Sequence, residues 1–168
     1  MNENIDVKSG TIKRIGGYLH KVIPIADKSG EIISYALKPM MVEFKPRDVI
    51  QVIIGSSLIA VPVSLSEEAW TLAETLPNFN LGLISLLSFS ITSLFVYYNF
   101  YRNNLKGNVF QFVYRVIGTY LISFAVAALM LTIIQKCPWE TDHVLAIKRT
   151  IIVAFPATFS GTLSDTIK

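Results

Sequence analysis

Polar and apolar positions are spread unevenly along this chain. Of its 27 charged residues, 14 precede Val49 and 13 are scattered over the 120 positions that follow. Beyond that boundary, long apolar runs alternate with short polar breaks. A helix rises about 1.5 Å per residue, so about 20 apolar residues carry it across the hydrocarbon core of a bilayer. Four runs reach that order of length: residues 49–65, 81–98, 109–134 and 144–163. The fourth is interrupted by Lys148 and Arg149 and is apolar or small from Thr150 onward. Between the runs stand turn signals: Pro77 with Asn78, Asn103 and Asn104 ahead of Gly107, and Cys137 with Pro138. The predicted fold is all-α, a four-helix transmembrane bundle.

The segment before the bundle, residues 1–48, follows a different pattern. Residues 18–26 and 31–37 are rich in β-branched and aromatic side chains, and Asp27, Lys28, Ser29 and Gly30 form a turn between them. Residues 41–44 are a candidate third strand before Pro46. A hairpin-like piece of this size is too small to be stable alone. It is expected to pack on the helices or on a neighbouring subunit, with a partly disordered tail as the alternative.

Composition supports the membrane reading. Apolar residues make up 52% of the chain and charged residues 16%, against about a quarter in soluble domains. The net charge of +3, with no basic run beyond Lys13 and Arg14, argues against a nucleic-acid partner. One cysteine, Cys137, excludes an intrachain disulfide, and His20 and His143 lie far apart, so neither a metal nor a cofactor is expected. No apolar stretch follows a basic start in the first 48 residues, so no cleavable signal peptide is expected.

Orientation follows from the basic residues of the short flanks. Lys38, Lys45, Arg47, Arg102, Lys106 and Lys168 fall on one side of the four runs, and Lys136 alone falls on the other. That asymmetry places both termini in the cytoplasm. Trp70 and Trp139 would then sit at the outer interface, and Tyr97, Tyr98, Tyr101 and Tyr114 at the inner one.

Candidate chemistry lies near two prolines. In AVPVSLSEEAW (residues 60–70), Pro62 has no amide hydrogen and frees the carbonyl of Leu58. Ser64, Glu67 and Thr71 follow at the spacing of one helical face, with Glu74 beyond. Carbonyls, carboxylates and hydroxyls together are oxygen ligands for a cation. Equally, Glu67 and Glu68 fit a helix end meeting water. Residues 154–160, AFPATFS, repeat the pattern around Pro156 and Thr158, and Asp165 follows. Paired proline-interrupted helices of opposed direction point to a transporter's site, although such residues are common in membrane helices. Ala154, Ala157 and Gly161 favour close helix packing, with a cavity lining as the alternative.

Charges inside membrane segments are costly and usually paired. Lys148 and Arg149 are expected to pair with Glu67 and Glu68 at the outer level, and Arg115 with Asp165 and Asp48 at the inner level. No serine, cysteine or histidine stands in a nucleophile setting, and Gly16 with Gly17 reads as a bend, so no enzyme is expected. Cys137 could bridge subunits, but an incidental thiol explains it as well.

At KPRD (45–48), AVPVSLSEEAW (60–70) and FVYYNFYR (95–102), the chain resembles a prokaryotic family of small predicted integral membrane proteins, domain of unknown function 2391. The likeness runs from about Phe44 to the C-terminus and implies a prokaryotic plasma membrane. It carries no activity and no site residues. The residues themselves suggest an oligomeric ion channel or transporter, with a cation favoured. Glu67, Glu68, Asp165, Ser64 and Thr158 would be ligands, and Pro62 and Pro156 helix breaks. The alternative is an assembly or regulatory membrane subunit that transports nothing.

Overall fold

The computed structural model describes residues 11–15, 18–26, 32–40, 43–102, 105 and 107–167. It contains two compact units, residues 1–43 and 44–168. In the first, strands β1 (Thr11–Ile15), β2 (Tyr18–Ala26) and β3 (Ile32–Pro39) form an antiparallel sheet in sequence order. Thr11 pairs with Val22 and His20 with Pro39, and a bulge lies at Ile25/Ala26. The third strand is thus Thr11–Ile15, and of the expected strand at 41–44, Glu43 and Phe44 lie outside any strand. Residues 41 and 42 fall outside the described residues, as does the expected turn at 27–30.

The second unit holds α1 (Pro46–Ser64), α2 (Glu67–Thr75), α3 (Asn78–Val96), α4 (Val109–Ile133) and α5 (His143–Thr166). A π-helical turn, Tyr97–Tyr101, extends α3. Four helices are long and apolar enough to span a membrane: Pro46–Ser64, Asn78–Tyr101, Val109–Ile133 and His143–Thr166.

The ends have local causes. Pro46 occupies the first turn of α1, where its missing N–H is no loss, and the Asp48 carboxylate accepts the Lys45 N–H at 3.1 Å. Asp142 caps α5 by accepting from the Leu145 N–H at 2.9 Å. At the end of α4, Gln135 takes a left-handed φ of 59°, Gln135 N donates to Thr132 O, and Lys136 N donates to Leu131 O. Those two bonds make a Schellman stop.

The first membrane run is one helix, α1, and a separate helix, α2, follows it. The chain leaves helical geometry at Leu65 and Ser66 and restarts at Glu67, so Ser64, Glu67 and Thr71 do not share a continuous face. Ser64 is buried, whereas Glu67 is exposed.

Buried residues on α1 recur at every fourth position: Asp48, Val52, Ser56, Ala60, Ser64. The same holds on α4 for Arg115, Thr119, Ser123, Ala127, Leu131. Arg115 bonds Asp48 and Ser123 bonds Ser56, each pair 67 residues apart, so the two helices run parallel with their ridges in step. Helix α5 runs antiparallel to both, with Asp165 at the level of Asp48 and Gly161 against Ser56, Ser123 and Val52. Such fourth-residue ridges are a standard means of helix packing, and small residues let the backbones close up. Gly55 likewise meets Ser164 and the Ser160 carbonyl.

A side chain at Gly161 would collide with Ser56 Oγ, whereas one at Gly82 would meet nothing within 4 Å. Gly161→Ala should therefore destabilise the bundle by about 1–3 kcal/mol through overpacking. Gly82→Ala should be neutral or stabilising, because glycine costs up to about 1 kcal/mol in a helix. Thermal unfolding in detergent separates the two; equal melting temperatures would refute the close approach.

Candidate functional site

The helix register brings three charges together at one end of the bundle. Arg115 on α4 is fully buried; it donates through Nη2 to Asp48 Oδ2 at 3.1 Å and through Nη1 to Asp165 Oδ2. Asp48 and Asp165 are 4% and 1% exposed, so the whole trio lies out of solvent. The expected inner ion pair is present and is double.

The two carboxylates sit in unlike fields. Asp48 is in the first turn of α1, where the helix dipole favours an anion. Asp165 is in the last turn of α5, where the dipole opposes one. Arg115 offsets that cost, because its planar fork serves two acceptors at once. Its guanidinium carbon stands 4.0 Å from the centre of the Phe100 ring and 5.3 Å from that of Phe44. Those rings exclude water and add cation–π attraction. Arg115 also hydrogen-bonds the buried Tyr101, presented by the π-helical turn. Such turns re-aim side chains and recur at functional sites.

From this centre a band of hydroxyls extends toward the middle of the bundle. Thr119 and Ser123 follow Arg115 on α4, Ser56 lies on α1, and Thr162 and Thr158 lie on α5. Helix α3 turns Ser88, Thr92 and Val96 inward. Ser56 and Ser123 are hydrogen-bonded at 2.7 Å. The next level is apolar: Ala60, Ala127, Ala154 and Ala157 belong to one buried cluster with Val153 and Leu131. Pro62 and Pro156 flank that alanine collar in sequence, each inside its helix.

The other end is organised by tryptophans. Trp70 Nε1 donates to Ser64 O at 2.9 Å, Lys136 Nζ lies 4.3 Å from the Trp70 ring centre, and Trp139 Nε1 donates to Thr132 Oγ1 at 2.8 Å. Arg149 pairs with Glu74, and Lys148 Nζ donates to the Leu76 carbonyl at 2.9 Å. The expected pairing of Lys148 and Arg149 with Glu67 and Glu68 is thus replaced. The far end of α2 meets α5 through Glu74, while Ala69 and Trp70 of its first turn face inward and leave Glu67 and Glu68 outward. Glu67 and Glu68 are exposed, and the Ser66 hydroxyl, 2.6 Å from Glu68, holds that carboxyl below its ordinary value.

The candidate ligands are therefore dispersed. Asp165 is in the charged centre, and Thr158, whose hydroxyl donates to Ala154 O at 2.7 Å, is near the Ser56–Ser123 level. Ser64 lies beyond the collar and donates to Val61 O at 2.8 Å. Sequence reasoning missed Ser56, Ser123, Thr119, Thr92, Ser88 and Thr162. The available signal was a hydroxyl or small residue at every fourth position of α1 and α4. Among the described residues, no cluster of three His, Cys, Asp or Glu could hold a metal ion.

The model of the integral membrane protein family DUF2391 matches residues 27–164. The chain belongs to this family. No curated protein and no solved structure matches it. Membership of DUF2391 agrees with the four spanning helices and carries no activity.

Two measurements check this geometry. Arg115→Met would leave two buried carboxylates without their shared cation and should cost about 3–5 kcal/mol, whereas Arg115→Lys should cost less. An unaltered melting temperature in Arg115→Met would contradict the burial. Cys137, beside Ala146 O at 3.5 Å and Thr150 Oγ1 at 3.6 Å, has its thiol pushed up by burial. A raised value means less thiolate at a given pH. Maleimide labelling of Cys137 should therefore reach half its maximal rate at a higher pH than for a free cysteine, about 8.5. A profile matching the free thiol would show that Cys137 is open to solvent.

Proposed function

We propose that this DUF2391 protein is a small cation channel or transporter whose ion-binding centre is Asp48, Arg115 and Asp165. The observation that carries the reading is a buried Asp–Arg–Asp trio continuous with a face of hydroxyls on α1, α3, α4 and α5. Ionisable groups inside a membrane bundle mark ion and proton pathways. Ser64 and Thr158 supply neutral oxygens along the route. Glu67 and Glu68, exposed at the far end, gather cations there. Passage requires the alanine collar to part, and Pro62 and Pro156 weaken their helices at that level.

The six-to-one imbalance of basic flanking residues supports a multi-pass protein of a prokaryotic plasma membrane, with both termini cytoplasmic and the Asp48 end inward. A homo-oligomer completes the proposal, since four helices with an apolar collar enclose a narrow route at best. An enzymatic role is not part of it, since no nucleophile stands beside a base among the described residues.

A second reading is an assembly or regulatory subunit. It is favoured by the three-stranded sheet, in which β1 and β3 are edge strands and Ile12, Ile33, Tyr35 and Leu37 are exposed. Such edges accept a partner's strand.

Purified protein in liposomes tests both readings. Wild type should pass cations selectively, Asp165→Asn should lose at least about tenfold of that flux, and Glu67→Gln/Glu68→Gln should lose less. No flux of any cation, anion or proton, with the protein folded, would end the transport reading and leave the assembly role.

A further inference from the structure

The two faces of the three-stranded sheet differ. Side chains alternate along a strand, so Ile15, Val22, Pro24, Tyr35 and Leu37 share one face, with Lys13 at its margin on β1. They line an open hollow of about 400 Å³. Ile15, Tyr35 and Leu37 are exposed there, and Ile33 continues the row on β3. A sheet that is apolar on one face has to bury it against another layer. The opposite face is mixed: Ile12, Ile23 and Ile25 stand among Arg14, Lys21 and Ser34.

Charge is segregated along the sheet as well. The strands hold Lys13, Arg14, Lys21 and Lys38 and no acidic residue. The register gathers these four on adjacent rungs: Arg14 opposite Leu19, Lys13 opposite His20, Ile12 opposite Lys21, and Lys21 opposite Lys38. Like charges directly opposite each other are unfavourable, and a nearby anion relieves them. Glu43 pairs with Arg14. Asp27 and Glu31 fall in sequence between Ala26 and Ile32, the rung at the other end of β2 and β3.

The basic end is also where the chain departs for the membrane. Met40 N donates to Leu19 O at 2.7 Å, beside those rungs. Seven residues of chain lead from Pro39 to Pro46, where α1 begins. Fully extended, that length covers at most about 25 Å. Whatever its orientation, the sheet stays within that reach of the start of a spanning helix, and Lys45 and Arg47 add two further basic residues there.

We propose that the hollowed face of the sheet docks on the surface of the protein's own bilayer, with anionic phospholipid as its ligand. An interfacial amphipathic element sinks its apolar side about 5–10 Å into the boundary of headgroups and acyl chains, which leaves its basic residues at the phosphates. Here Ile15, Tyr35 and Leu37 insert, and the basic rungs meet the phosphates. Attraction between basic residues and an anionic leaflet acts within a Debye length, about 8–10 Å, and the thickness of one sheet keeps both faces inside that range. A second copy fits the hollow less well, because two concave faces laid together enclose a void, whereas fluid lipid fills it. The docking stands apart from transport, since it holds whether or not the bundle conducts.

The test uses the full-length protein with Cys137→Ser and one new cysteine at a time. Ile15→Cys and Leu37→Cys report on the docking face, and Ile12→Cys and Ile23→Cys on the opposite one. Each is labelled with bimane and held in nanodiscs of phosphatidylcholine with or without phosphatidylglycerol, part of the lipid carrying a nitroxide at the top of its acyl chain. Both leaflets of a disc share one composition, so orientation does not enter. In anionic discs, nitroxide quenching at 15 and 37 should exceed that at 12 and 23 at least about threefold. Leaving out phosphatidylglycerol, or introducing Lys21→Gln/Lys38→Gln, should remove at least about half of that excess. Equally weak quenching at all four positions overturns the proposal. So do labels at 15 and 37 that are shielded from aqueous iodide yet unquenched by lipid, since protein would then cover the hollow. An excess unchanged in pure phosphatidylcholine overturns it too, because anionic lipid would not be the ligand. The lipid comparison needs no lysine substitution, so it decides the matter even if that variant unfolds.

Discussion

Arg115 cannot lose its charge, and it is buried in the bundle. Everything at that end is arranged around this constraint. A guanidinium removed from water needs acceptors for a rigid fork of donors and a counter-charge within reach. Asp48 and Asp165 supply both, from α1 and α5, and Phe100, Phe44 and Tyr101 close the remaining sides. Because each acceptor comes from a different helix, satisfying one side chain fixes the relative height of three. The step of 67 residues that matches Asp48 to Arg115 also matches Ser56 to Ser123 eight residues further on. Register set at one end propagates through ridges that repeat every fourth residue, and glycines at 55 and 161 permit the approach.

The interior this produces is divided. Toward Arg115 hydroxyls alternate with valines at the core positions; past the middle alanine, valine and leucine predominate, with Ser64 and Thr150 beyond them. In lipid the hydrophobic effect gives helices no reason to associate, so packing and hydrogen bonds have to do so. The alanine level itself uses close packing, and beyond it Arg149 pairs with Glu74 and Lys148 donates to the Leu76 carbonyl. The hydroxyl half uses the Ser56–Ser123 bond and the ion pairs, and leaves the oxygens of Ser88, Thr92 and Thr119 without protein partners. Stability by itself does not ask for that arrangement, since apolar residues of similar shape serve a buried position as well or better.

The sequence made the spanning helices legible because hydropathy needs only length and an absence of charge. The Arg115 pairing was legible for a related reason: within lipid-length runs, charges are few enough that matching their depths nearly determines their partners. The break at Ser66 was not. Glu67, Thr71 and Glu74 keep a helical spacing, and nothing local says that the helix stops and restarts between Ser64 and Glu67. That break sends Arg149 to Glu74. The hydroxyl face was missed because amphipathicity is faint when both core and surroundings are apolar. The usual alternation of polar and apolar sides is replaced by an alternation of small and large. The strand Thr11–Ile15 was missed because TIKRI carries two charges in five residues, and its place in the sheet comes from pairing with β2.

A buried ion pair is weak evidence for stability, and this one makes two demands that a mere helix staple would avoid. It sets Asp165 in the unfavourable field of a helix C-terminus, and it borders hydroxyls whose capacity the protein does not use. A staple would be cheaper on either count: one carboxylate at the N-terminal turn of α1 would neutralise Arg115, and valines would fill the places of Thr92 and Thr119. On the transport reading proposed above, two carboxylates around one arginine would make the centre where a cation or proton competes with the guanidinium for a share of Asp165. The collar of alanines would be the barrier on that reading. Small side chains at that level present no charge and little bulk, and Pro62 and Pro156 lie beside them on α1 and α5. The same interaction that fixes the register thus also places the charged groups at the foot of an interior face that carries hydroxyls.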